Sequence, residues 1–150
     1  MHQRLGVTLG VAIAAALIAA GCGSSSSSST TTTALSKSEF LSKANAICKQ
    51  GTKTLTAGQE SLGKNSSQAQ INNYVTSTFI PSVQSQIDQV RALGAPAGDE
   101  AKVKSMLALA QADLDKIKSD PSLAVGKADQ FTNFANVAHP YGMTSCAPNS

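Results

Sequence analysis

The chain has 150 residues, of which 41% are hydrophobic but only 4% aromatic, and its formal charge is +3 with lysines and acids interspersed. Without a Lys/Arg block it lacks the electrostatic footprint of a nucleic-acid binder. An interior rich in Ala, Leu, Val and Ile suits closely packed helices better than a β-sandwich, where β-branched and aromatic residues dominate.

At the N-terminus, Arg4 supplies a short positive region and Leu5–Ala20 is an uncharged apolar run closed by Gly21 and Cys22. This is the pattern of a secretory signal peptide. The run is shorter than the roughly 20 residues a spanning helix needs. Ala19-Ala20-Gly21-Cys22 resembles the lipobox of bacterial lipoproteins, with Ala19 standing where such boxes more often carry Leu. The resemblance implies cleavage before Cys22 and diacylglycerol, with palmitate-type acyl chains, on its sulfur. Ordinary cleavage and release is the alternative. Gly23–Thr33, GSSSSSSTTTT, reads as a flexible tether spanning about 20 Å root-mean-square. The expected division is therefore a signal peptide over 1–21, a lipidated cysteine and tether over 22–34, and one helical domain over 35–150.

The domain opens on Leu35-Ser36-Lys37-Ser38-Glu39-Phe40. Ser36 and Glu39 have the spacing of a capping box, and Leu35 and Phe40 that of a hydrophobic staple. Phe40, Ala44, Ile47, Cys48, Gly51 and Leu55 then recur at helical spacing, which predicts an amphipathic first helix fading between Gly58 and Gly63. Gly51 on that stripe costs helix propensity, which points to close approach of a neighbouring helix. Lys64–Ser67 reads as a turn, and Asn65-Ser66-Ser67 within it matches a glycosylation sequon.

Ile71, Tyr74, Val75, Phe79, Val83, Ile87, Val90 and Leu93 predict a second helix. Pro81 removes one backbone donor and collides with the carbonyl of Ser77, so a kink is expected there. Gly94-Ala95-Pro96-Ala97-Gly98 terminates it. A third helix begins at Asp99-Glu100, with acids in its first turn. It carries the stripe Val103, Met106, Leu107, Ala110, Leu114 and Ile117. Asp120 and Pro121 are suited to cap and start a fourth, with Ala124, Ala128, Phe131, Ala135 and Ala138 in phase and Gly126 weakening its first turns. Pro140 is expected to end it. The expected architecture is all-α, an antiparallel four-helix up-down bundle whose second helix is kinked at Pro81 and whose C-terminal tail is tied down by a disulfide.

The three cysteines are Cys22, Cys48 and Cys146. With Cys22 acylated, the other two can pair in an oxidising compartment; two unpaired buried thiols are the other reading. A bridge would close a loop of about 100 residues, which the chain-entropy model values at about 4–5 kcal/mol. A metal site built on these two cysteines lacks ligands.

Catalytic constellations are missing from the sequence. His139 is the sole histidine after Cys22, no G-x-S-x-G elbow occurs, and Gly94–Gly98 lacks a P-loop's lysine. Asp113 and Asp115, two apart on a helix, point away from each other. His139 with Met143 forms an incomplete haem or copper pair. The sequence predicts a non-enzymatic protein with no cofactor and no nucleic-acid partner. Tyr74, Phe79, Phe131 and Phe134 are candidates to line a ligand pocket between helices.

Taken together, the Ser/Thr tether, the opening Phe40-Leu41-Ser42-Lys43-Ala44-Asn45-Ala46-Ile47-Cys48 and the closing Tyr141-Gly142-Met143-Thr144-Ser145-Cys146 resemble small helical lipoproteins of actinobacteria. That resemblance implies a helical body and a Cys48–Cys146 bridge, and it carries no activity. The expected role is a non-catalytic binding module, exported and anchored to the outer face of the cytoplasmic membrane. Its partner is an envelope protein or, alternatively, a small apolar ligand held between the helices.

Overall fold

The computed structural model describes residues 34–125 and 130–147. The signal peptide, Cys22, the tether through Thr33, and Gly126 and Ala128 of the expected fourth helix lie outside the described residues. Among the described residues every regular element is helical: α1 (Lys37–Glu60), α2 (Gln68–Tyr74), a π-helical turn (Val75–Phe79), α3 (Ile80–Ala92), α4 (Glu100–Ser119), a 3-10 turn (Pro121–Val125) and α5 (Thr132–Tyr141).

Helix α1 begins where the capping box places it. The Glu39 backbone N–H donates to Ser36 Oγ at 3.2 Å, and the Ser36 N–H donates to Glu39 Oε2 at 2.9 Å. Two of the four orphan donors at the helix start are thereby satisfied. Its inner stripe buries Phe40, Ala44, Cys48 and Gly51. A second capping box, Ser67 with Gln70, starts α2 within what the sequence reads only as a turn.

The second apolar stretch is not one regular α-helix. Five residues ahead of Pro81 form a π turn, in which the Ile80 N–H donates to the carbonyl of Val75, five residues back. Proline offers no N–H and crowds the carbonyl four residues behind it, and a widened turn relieves that crowding. Helix α3 then ends at Ala92, followed by Gly94 at φ 71°.

Helix α4 buries every residue of its predicted stripe, and also Asp113. Asp113 is 3% exposed and pairs through Oδ1 with Lys116 Nζ at 2.8 Å; its Oδ2 is buried with no hydrogen-bond partner among the described residues. Asp115 faces away to pair with Lys118 at 3.0 Å. Asp99 precedes α4 but does not cap it with its side chain, because its carboxylate is engaged by Tyr141.

The expected fourth helix is shorter than the apolar phase suggests. Asp120 Oδ1 accepts from the Ser122 N–H at 3.1 Å, and the Leu123 N–H bonds back three residues to Asp120. The chain there makes a 3-10 turn, and α5 starts only at Thr132. Nor does Pro140 end α5. The helix runs one residue further and stops at Gly142, whose φ of 110° is left-handed. Gly142 N–H bonds to His139 O at 3.0 Å and Met143 N–H to Ala138 O at 3.0 Å, a Schellman closure.

Cys48 and Cys146 are disulfide-bonded across 98 residues of sequence. Beside the bridge, Asn45 holds the tail with both ends of its amide: Nδ2 donates to the Gly142 carbonyl at 2.9 Å and Oδ1 accepts from the Ser145 N–H at 2.8 Å. Helix α1 packs on α3, α3 on α4, and α4 on α5. Phe40, Met106, Leu114 and Met143 are among the fully buried side chains of the core they share.

Candidate ligand cavity

The apolar stripes of these helices do not close completely. A cavity of about 380 Å³ lies between α1, α3, α4 and α5. Cys48, Thr52 and Leu55 line it from α1, Val83, Gln86, Ile87 and Val90 from α3, and Leu107 and Ala110 from α4. Phe131, Phe134 and Ala135 line it from the start of α5, and Met143 and Ala147 from the tail. Thr52, Thr132 and Asn136, also in the lining, are exposed and mark its rim. Among the described residues no charged side chain lines it.

Three of the four aromatic residues singled out from the sequence meet here. Phe79 comes from the π turn, Phe131 caps α5 and Phe134 lies in its first turn, and all three line the cavity. The aromatic ring pair found among the described residues is Phe40 with Tyr141, elsewhere in the core, so the three rings border the void and do not stack on one another. Tyr74 lies outside the lining. Its hydroxyl donates to the Leu55 carbonyl on α1 at 3.0 Å, the polar partner that a half-buried phenol requires. Burial raises the Tyr74 pKa above its ordinary value. A Cβ at Gly58 would fall 2.6 Å from the Tyr74 ring, so that glycine admits the side chain.

The disulfide forms part of the wall, since both Cys48 and Cys146 border the cavity. Sequence reading missed the contribution of the tail, whose residues carry no periodic signal. It also missed Gln86, which sits three residues from Val83 and four from Val90, in register with the apolar stripe. A polar residue at a stripe position was the available signal.

The cluster of Asp99, Tyr141, Lys37 and Lys102 lies apart from the cavity. Tyr141 OH donates to Asp99 Oδ2 at 2.8 Å, Lys37 Nζ lies 3.8 Å from the same oxygen and 4.3 Å from the centre of the Tyr141 ring. This knits the ends of three helices together. His139 is half-buried and Met143 turns to the cavity. Among the described residues, no group of three or more His, Cys, Asp or Glu side chains gathers to hold a metal, and no helix is long and apolar enough to cross a membrane. No protein-family model, curated protein or solved structure matches the chain.

Proposed function

We propose that this protein is a non-catalytic binding protein of the cell envelope that holds a small apolar ligand between its helices, anchored outside the cytoplasmic membrane by lipid on Cys22. The carrying observation is the cavity itself. Ligand sites are typically mainly apolar clefts or cavities of about 300–1,000 Å³ with a few polar groups, and this one opens to solvent at the rim of Thr52, Thr132 and Asn136. A void of about 380 Å³ bordered by Phe79, Phe131 and Phe134 favours a small ligand over a protein partner, which would need an exposed face. On this reading the helices run up and down in four layers, with α2 and α3 as one layer bent at Pro81. The packing of successive helices and the π turn support that arrangement. The apolar run ending at Cys22 and the tether after it support export and anchoring.

The test is titration of the full chain with N-phenyl-1-naphthylamine, an uncharged dye that brightens in apolar surroundings. Saturable binding of one dye per chain is expected. Ala135→Phe, which pushes a ring into the void, should abolish it without lowering the melting temperature, since filling a cavity tends to stabilise. Absence of saturable binding, or binding indifferent to Ala135→Phe, overturns the cavity reading. For the anchor, Cys22→Ala should move the protein out of the membrane fraction or leave it uncleaved, and unchanged fractionation would count against lipidation.

A further inference from the structure

Gln86 stands out in the cavity wall. It lies on α3 among Val83, Ile87 and Val90, which line the same void, and α1 gives up a side chain to seat it. A Cβ placed on Gly51 would land on the Gln86 carboxamide, so the two positions are matched across the helix pair. An amide offers two N–H donors and an oxygen with two lone pairs. The bond Gln86 makes is a long one to its own helix, Nε2 to the Ser82 carbonyl at 3.3 Å. Neither polar atom of this half-buried amide is sealed from solvent without a partner, so its remaining donor and acceptor capacity is open to water or to a ligand.

Its position puts that capacity within reach of a bound molecule. Gln86 borders two spaces at once: the apolar cavity on one side, and on the other a groove between α1 and α3 lined by Gly51, Thr54, Ser82 and Gln89. Thr52, next to Gly51 on α1, brings a hydroxyl to the same cavity. Resting on the ligand reading above, we infer that the ligand is an uncharged amphiphile whose hydrocarbon body fills the cavity and whose hydroxyl, amide or ester group is held by Gln86. An engineered 150 Å³ cavity takes up benzene, so 380 Å³ has room for about 15 non-hydrogen atoms on the same scale. Ionised ligands are disfavoured, because no charged side chain among the described residues lines the wall to offset their desolvation.

Three probes of one chain length separate the possibilities: octane, 1-octanol and octanoate at pH 8, each measured by displacement of N-phenyl-1-naphthylamine from the full-length protein. Comparing wild type with Gln86→Met cancels differences in water solubility, because each probe is its own reference. Gln86→Met keeps the length of the side chain and removes its polar end. It should weaken 1-octanol about tenfold, the worth of one hydrogen bond to a neutral group, and leave octane within twofold. Octanoate should be the weakest competitor of wild type. If Gln86→Met weakens octane and 1-octanol equally, or if octanoate competes best, the assignment to Gln86 and an uncharged amphiphile is overturned while the cavity reading stands. If no probe displaces the dye, or the dye itself does not bind, the cavity reading fails as well. Should Gln86→Met fail to fold, Gly51→Ala, which drives the carboxamide from its seat, provides the same comparison with the polar group displaced.

Discussion

The Tyr141 hydroxyl donates to Asp99 Oδ2 at 2.8 Å, joining the last turn of α5 to the residue that precedes α4, 42 positions earlier in sequence. Tyr141 is 6% exposed. Burial chiefly, and then the hydrogen bond to Asp99 and the charge of that carboxylate, raise its pKa far above the ordinary tyrosine value. The fold thus favours the protonated phenol. Its stabilising contribution is complete below the unfolded-state value of about 10 and is lost as pH rises through the folded-state value. The melting temperature should therefore fall once pH exceeds about 10. Tyr141→Phe should make that fall shallower and cost about 1 kcal/mol at neutral pH. A residual alkaline slope from Tyr74, also raised by burial, is expected in the variant. An unchanged slope in Tyr141→Phe would place the alkaline sensitivity elsewhere.

Acid acts on the capping box at the start of α1. The hydrogen bonds from Ser36 hold the Glu39 carboxyl below its ordinary pKa. The capping box therefore contributes fully above the unfolded-state value of about 4.3, and its contribution goes as pH drops through the lower folded-state value. Protection of the Glu39 and Phe40 amides, measured against the intrinsic exchange rate at each pH, should fall over that acid range, and Ser36→Ala should show the lowered protection already at neutral pH.

Removing the bridge tests both fold and site. The double variant Cys48→Ser with Cys146→Ser should lose about 2–5 kcal/mol of stability. It should also lose affinity for the dye, because Met143, Cys146 and Ala147 are all in the cavity wall. Asn45→Ala removes two further bonds to the tail, at about 1–2 kcal/mol together, and should weaken dye binding in the same direction. Denaturant melts read beside dye titrations would reveal whether the tail matters to stability alone.

Two glycines with left-handed backbones should respond differently to alanine. At Gly94, φ 71°, an added Cβ meets open space, leaving only the conformational cost of about 1–2 kcal/mol. At Gly142, φ 110°, the Cβ would also come within 2.9 Å of Leu41 Cδ1. Gly142→Ala should therefore destabilise more than Gly94→Ala, and Leu41→Ala in the same chain should recover the difference. Equal costs at the two sites would mean that Leu41 simply moves aside.

Much of the helical framework was legible because the deciding interactions are local. Ser36, Glu39 and the stripe from Phe40 to Gly51 are set by contacts within four residues. The α4 stripe from Val103 to Ile117 is buried at every predicted position. Ser67 and Gln70 obey the same capping rule three residues apart, inside a segment whose composition suggests only a turn. Asp113 illustrates the opposite failure, since it lies in the phase of Ala110, Leu114 and Ile117 and its residue type argues against burial. The start of α5 was misplaced because apolar phase persists from Ala124 to Ala138 while the chain at Asp120–Val125 forms side-chain and 3-10 bonds instead. Of the candidate site, Phe79, Phe131 and Phe134 were found because large aromatics are scarce in this chain. The tail residues and Gln86 were not, as their place in the wall depends on contacts far apart in sequence.

The Cys48–Cys146 bridge also orders events in time. Its cysteines face the same void from segments 98 residues apart, so α1 emerges from the ribosome and crosses any membrane well before its partner strip of wall exists. A site assembled from such distant pieces has no nascent form that a ligand could recognise. If the cavity holds the proposed ligand, its wall is complete only once the tail has docked on α1, and the bridge that fixes it there is of the kind that persists in oxidising compartments.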